Sequence, residues 1–357
     1  MNRHKEGQEP DSRPIVALTL GDVAGVGPEL AVKLLAEPEV YRQACPVVVG
    51  SGAILERAIK LLGSSARVRV VDQPADALGS IEQIVCVDAA SQNLSEIVPG
   101  KIDARAGRAA YEFLDRAIDL ALAGKVDAIV TLPIQKESLH LAGVPHPGHT
   151  EILAEKCGGL EHAMMLFVGP PICRQESGLA VIHATLHVPL RKVFELLTVD
   201  RVIASIELAH QFLRPLTGGS SPRIGVAGLN PHAGEHGLFG DEESTIIEPA
   251  IATCCERGIA VSGPYPADTL FRRGLDGDFD AVIAMYHDQG HAAVKTVAFH
   301  EAVNVTLGLP IVRTSVAHGT AFDIAWKGLA DPSSLRTAVK LATRIVTGKQ
   351  SLERPNA

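Results

Sequence analysis

The strongest constraint on the fold is a recurrence of short apolar runs at residues 15–20, 46–49, 84–87, 128–132, 179–184, 223–228 and 281–285. Continuous runs of this length suit strands buried on both faces, and most of them end in glycine, a polar turn or a histidine. The intervals have helical patterning: residues 28–35 follow Gly27, and residues 107–123 carry a stripe through Ala110, Phe113, Leu114, Ala117, Ile118 and Ala121. Strand and helix in alternation imply an α/β protein with a largely parallel sheet covered on both faces. The chain has 357 residues, a length that suits two lobes, and its most linker-like segment is L-T-G-G-S-S-P at 216–222. No fixed-period repeat or low-complexity tract is present.

Formal net charge is -8, with lysine and arginine scattered along the chain, so no basic stripe marks nucleic acid or an anionic membrane as a partner. A small soluble substrate is expected instead. No apolar run approaches the ~20 residues of a membrane span. Residues 1–13 are polar and charged and lack the apolar core of a signal peptide, so a cytoplasmic protein with a disordered N-terminal tail is expected. The six cysteines form no C-x-x-C pair or zinc spacing, which suits reduced, structural thiols.

The turn after the first run reads T-L-G-D-V-A-G-V-G-P-E-L at 19–30, with Leu30 where the third glycine of G-x-G-x-x-G would fall. The usual dinucleotide fingerprint is therefore absent. Asp22 and Gly25, ahead of a helix with Pro28 in its first turn, still form a candidate backbone site for a cofactor. A plain strand-to-helix turn is the alternative. Three later turns each present a histidine: T-L-H-V-P-L has His187, L-N-P-H-A-G-E has His232, and Y-H-D-Q-G-H has His287. Each lies just past the carboxyl end of an expected strand, where open α/β sheets bind ligands. Three imidazoles with one position left for water or a substrate oxygen make a catalytic divalent-cation site. Singly, each is as readily a turn or capping residue, and only their repetition in one context favours the metal.

The segments G-H-T-E at 148–151, G-L-N-P-H-A-G-E at 228–235, G-P-Y-P-A-D-T-L-F at 263–271, M-Y-H-D-Q-G at 285–290 and N-V-T-L-G-L-P-I-V-R-T-S-V-A-H-G-T-A at 304–321 resemble the 4-hydroxythreonine-4-phosphate dehydrogenase family. The likeness implies a divalent metal (Zn, Mg, Co or Mn) held by His187, His232 and His287, one of which, assigned here to His287, reaches the site from the partner subunit of a homodimer. It implies substrate contacts from His149, Thr150, Lys295, Asn304 and Arg313 to a small phosphorylated acid. Lys295, Asp268 and Asp288 are the candidates for catalytic roles, the two carboxylates either as proton acceptors or as anchors for an imidazole.

The stretch S-V-A-H-G-T-A-F-D-I-A-W-K-G-L-A-D-P at 315–332 is similar to the segment of isocitrate and isopropylmalate dehydrogenases that forms the adenosine end of their NAD or NADP site. That makes His318, Gly319 and Thr320 cofactor candidates. It also implies the two-lobed, non-Rossmann fold of those enzymes, with residues 14–135 plus 305–357 as a cofactor-side lobe and residues 136–304 as the metal, substrate and dimerisation lobe. The implied reaction is NAD(P)-dependent oxidation of the 3-hydroxyl of a 4-phosphorylated four-carbon acid. Decarboxylation to a phosphorylated ketone follows, because the new ketone lies β to a carboxylate.

Four positions depart from the vitamin B6 enzyme's pattern: Val23, Leu186, Asp241 and His291. Of these, H-D-Q-G-H and L-H look more like paralogues acting on 4-phospho-D-threonate or 4-phospho-D-erythronate, or on cyclic dihydrodiol carboxylates, which makes His291 a candidate for substrate contact and selection, while 4-hydroxythreonine 4-phosphate stays a candidate substrate beside the phosphorylated sugar acids. A cis-dihydrodiol carboxylate dehydrogenase is the alternative, although that branch loses the G-H-T-E kept here. From other classes, a silent sugar-phosphate-binding protein and a metal-dependent hydrolase or aldolase compete with it.

Overall fold

The computed structural model describes residues 12–76, 78–158, 163–299 and 301–353. Of the tail expected over residues 1–13, residues 1–11 lie outside the described residues. Twelve strands form one sheet: β1 (Ile15–Thr19), β2 (Cys45–Gly50), β3 (Arg67–Val71), β4 (Gln83–Asp88), β5 (Ala128–Thr131), β6 (Ala163–Val168), β7 (Leu179–His183), β8 (Ile224–Ala227), β9 (Val261–Tyr265), β10 (Ala281–Ala284), β11 (Val303–Leu307) and β12 (Val312–Val316). Their order is β3-β4-β2-β1-β5-β12-β11-β6-β7-β10-β8-β9. The seven apolar runs become β1, β2, β4, β5, β7, β8 and β10. The edge strand β3 escapes that reading because Arg67 and Arg69 interrupt its apolar side chains.

Eight of the eleven strand pairings are parallel, and the three antiparallel ones, β12 with β11, β11 with β6 and β6 with β7, are consecutive. Strand direction therefore reverses across the middle of the sheet. Strands β1, β5 and β12 end at one edge, and β7, β10 and β8 end at the other. Ligand-binding turns belong at carboxyl ends, so the molecule has two neighbourhoods for them.

The helix Ala104–Leu122 shows how the layers assemble. Asp103 caps it by accepting from the backbone N–H of Arg105 at 2.8 Å, and Ala109, Phe113, Leu114, Ala117 and Ile118 go under on one face. Truncating the fully buried Phe113 to alanine would cost about 3–5 kcal/mol. The helix Ser333–Glu353 covers β12 and β5, where Thr314 Oγ1 donates to the carbonyl of Ala338 at 2.9 Å. The linker-like residues 216–222 instead close a surface turn between the helix Val199–Leu213 and β8, with Gly218 and Gly219 in the left-handed region. Of the six cysteines, five are buried and Cys255 is exposed. Among the described residues no helix is long and apolar enough to cross a membrane.

Candidate active site

Because β7, β10 and β8 are parallel neighbours, the three histidine turns emerge at one end of the sheet. His187 sits in the left-handed region at φ 43°, a conformation that costs a non-glycine residue about 1–2 kcal/mol and is usually retained for a reason. Its ring centroid lies 5.4 Å from that of His287, the first residue of the helix His287–Ala298. Two imidazoles sharing one tetrahedral ion have centroids on the order of 5 Å apart. The Asp288 carboxylate is 2.7 Å from His287 Nδ1, which leaves Nε2 free of that contact. Burial, then His287 and Lys136, push His187 below its ordinary range, while Glu151 opposes them. A cavity of about 230 Å³ opens here between His187, His287, Leu186 and Tyr286.

His232 stands apart. Residues His232, Ala233, Gly234, Glu235 and His236 all have φ between 44° and 80°, one turn of left-handed helix. Glu243 holds this turn by accepting from the backbone N–H groups of Leu229 and Asn230 at 2.8 and 2.7 Å. The exposed His232 ring meets Glu235 at 3.2 Å and faces a separate cavity of about 560 Å³ shared with His236 and Glu248. Among the described residues of one chain, no three His, Cys, Asp or Glu side chains gather closely enough to hold a metal. The grouping differs from the expected one: His287 lies with His187, and His232 is the histidine left outside. Two imidazoles and an orienting carboxylate are donor types that suit a divalent cation.

A second cluster of buried polar groups centres on Arg313 of β12. This guanidinium is buried without a carboxylate and donates to Thr131 Oγ1 at 2.6 Å and Thr306 Oγ1 at 3.0 Å, while its Nε has no partner. Burial pushes Arg313 down to about 10, so it stays charged at neutral pH. His149 Nε2 and Asn304 Oδ1 are also buried without partners, and burial first, then the charge of Arg313, holds His149 far below its usual range. The buried Arg313 charge and its unpaired Nε–H call for an anionic ligand, and the unpaired Asn304 Oδ1 calls for a donor such as a hydroxyl.

The two expected cofactor segments meet. A Cβ on Gly25 would come within 2.9 Å of the Thr320 carbonyl, which accepts from Val26 N–H at 3.0 Å. Trp326 Nε1 donates to the Val23 carbonyl at 2.9 Å and ties the segments together. His318 and Gly319 are exposed, and a Cβ on Gly319 would meet only open space, so a ligand can approach this backbone. Asp22 lies beneath and is fully buried; burial lifts it to about 6 against hydrogen bonds from Ala24 and Ser138.

Thr150 lies in the first turn of the helix His149–Lys156, and Asp268 is exposed in the first turn of the helix Ala267–Asp276. Lys295 follows His287 by two helical turns, with His291 between them. His291 is buried, with Nδ1 3.1 Å from Nε2 of His183. Burial holds these two imidazoles at about 3 and 4. His183, Thr131, Thr306 and Lys136 had no role in the sequence reading. Only His183 had a visible signal, as a polar residue ending the apolar run L-A-V-I-H.

The family model described as pyridoxal phosphate biosynthetic protein PdxA matches residues 42–342. The chain belongs to the PdxA family. A D-threonate 4-phosphate dehydrogenase from Pectobacterium atrosepticum is 44% identical over 93% of this chain and 99% of its own. The crystal structure of a 4-hydroxythreonine-4-phosphate dehydrogenase from Klebsiella pneumoniae is also 44% identical, covers 93% of this chain and 99% of its own, and superposes with a TM-score of 0.81. A terephthalate 1,2-cis-dihydrodiol dehydrogenase from Burkholderia xenovorans is more distant, at 33% identity and a TM-score of 0.66 over 93% of this chain and 98% of its own. This PdxA-family chain is accordingly an oxidoreductase acting on a CH–OH group, on a non-Rossmann α/β fold.

Proposed function

We propose that this protein oxidises the 3-hydroxyl of a 4-phosphorylated four-carbon acid, with 4-phospho-D-threonate as first substrate, using NAD or NADP and a divalent metal, and that the product loses carbon dioxide. The observation that carries the substrate class is buried Arg313, a cation with no carboxylate partner among the described residues, whose charge acts on the buried His149. Arg313 offers charge-assisted donors to an anionic group, and Asn304 and His149 fix its orientation. Thr150 and Lys295 add a hydroxyl and a second cation. The exposed backbone at His318 and Gly319, backed by Gly25 and Thr320, suits a nicotinamide cofactor, which when bound accepts the hydride. A divalent ion, when bound, supplies Lewis-acid polarisation of the substrate hydroxyl. Asp288 orients His287, and Lys295 takes part in binding the substrate's charge. The site is read as shared between the subunits of a homodimer, a reading supported by one chain bringing only two of the histidines together.

The test is NAD(P)H formation with 4-phospho-D-threonate, 4-phospho-D-erythronate, 4-hydroxythreonine 4-phosphate and a cis-dihydrodiol carboxylate, each phosphorylated acid beside its dephosphorylated form. A phosphorylated acid is expected to lead in kcat/KM by at least ~100-fold over its dephosphorylated partner. Equal values would refute the phosphate reading and favour the dihydrodiol. Retention of G-H-T-E at 148–151 argues for the phosphorylated acid.

A further inference from the structure

We propose that His183 and His291 form a buried imidazole pair that positions His287 for the cation. This rests on the metal reading above. Four imidazoles lie in one chain of contacts. His291 Nδ1 is 3.1 Å from His183 Nε2, and His183 Nδ1 is 3.4 Å from the Met164 carbonyl on β6. A carbonyl only accepts, so His183 carries its proton on Nδ1 and its Nε2 receives the N–H of His291. The Met164 carbonyl thereby sets the tautomer of both rings. The next contact is a stack: the rings of His291 and His287 lie 3.8 Å apart between centroids and 11° from coplanar.

His287 is thus held on its edge by Asp288 and on its face by His291. The arrangement is also built for. A Cβ on Gly290 would come within 2.4 Å of His183 Nε2, so a glycine immediately before His291 is what lets β7 and this helix bring the two rings together. Leucine at both positions would fill a similar volume in an apolar interior without two polar rings to satisfy. Burying such rings carries a desolvation cost, so stability alone does not explain the pair. A ring fixed by hydrogen bonds and stacking offers His287 a stiffer support than an aliphatic side chain, and partners of a metal ligand typically change affinity by 10- to 100-fold.

The experiment uses the full chain and cobalt(II), whose visible spectrum reports coordination geometry. His183→Leu, His291→Leu and the double variant are compared with wild type by cobalt affinity, cobalt spectrum and Tm without metal. Each single variant is expected to weaken cobalt binding by ~10- to 100-fold with an altered spectrum. The double variant should be no worse than the weaker single, since one pair is lost, and its metal-free Tm should equal or exceed that of wild type. Wild-type affinity and spectrum in the double variant, with a lowered Tm, would overturn the proposal and leave the pair a packing element. Should the leucine variants not fold, His291→Gln keeps a polar group but no stacking ring. Weakened binding is expected there, and wild-type binding overturns the idea. His287→Ala separates the two readings: if it binds cobalt as tightly as wild type, or wild type binds none, the cation site itself fails, and the positioning role with it.

Discussion

At the scale of single residues, two buried charges invite measurement. Arg313 has no carboxylate to repay its desolvation. Its replacement by methionine is expected to leave stability unchanged or raised, because a buried unpaired charge is costly, while raising KM for a phosphorylated acid by ~10- to 100-fold. Urea unfolding and steady-state kinetics on one preparation check both halves, and a large loss of stability with unchanged KM would contradict them. Asp22 is lifted from 3.8 to about 6 by burial. The folded state therefore binds a proton more tightly than the unfolded chain. The stability this group contributes is complete below pH 4 and is lost as pH rises through 6, a swing of up to about 3 kcal/mol. Asp22→Asn should remove that loss. Relative to wild type it is expected to gain about 3 kcal/mol at pH 8 but only about 1 kcal/mol at pH 4.5, and a gain independent of pH would exclude Asp22 as the source.

At the scale of elements, close approach decides two local structures. The helix His287–Ala298 meets β7 at Gly290, where a methyl group would strike the His183 ring. Gly290→Ala is expected to destabilise the protein by about 1–3 kcal/mol through overpacking. Adding His183→Ala should recover most of that loss. A double-mutant cycle with no coupling would show that the helix rests on something else. The left-handed turn at His232–His236 holds four non-glycine residues at positive φ. Ala233→Gly should relieve about 1 kcal/mol of that strain, readable as a higher unfolding midpoint.

At the scale of the whole molecule, the separation of His232 from the His187 and His287 pair is the main fact. If, as proposed, a partner subunit completes a three-histidine site, two inactive variants should rescue one another. Mixing His232→Ala with His287→Ala subunits is expected to restore a fraction of activity after exchange, because one of the two interface sites can then contain only intact groups. Verified mixed dimers that stay inactive would place all the ligands in one subunit.

Much was legible in the sequence where the physics is local. Period, length and bounding turns located seven strands and the helix Ala104–Leu122, and the strand-ending turns pointed to His187, His232 and His287. Composition shows no basic stripe and no apolar run of bilayer length, features that demand many residues of one kind. The strands β11 and β12 were hidden inside a run first read as a motif, and β3 was obscured by the arginines of a sheet edge. What only the tertiary structure decided depends on residues far apart in sequence: Arg313 against Thr131, His183 against His291, and Thr320 against Gly25. No spacing rule reports such pairs, because strand order and the reversal of direction at β11 and β6 choose which side chains meet. Burial, which leaves Arg313 without a counter-charge and brings imidazoles into stacks, exists only once the sheet has closed over them.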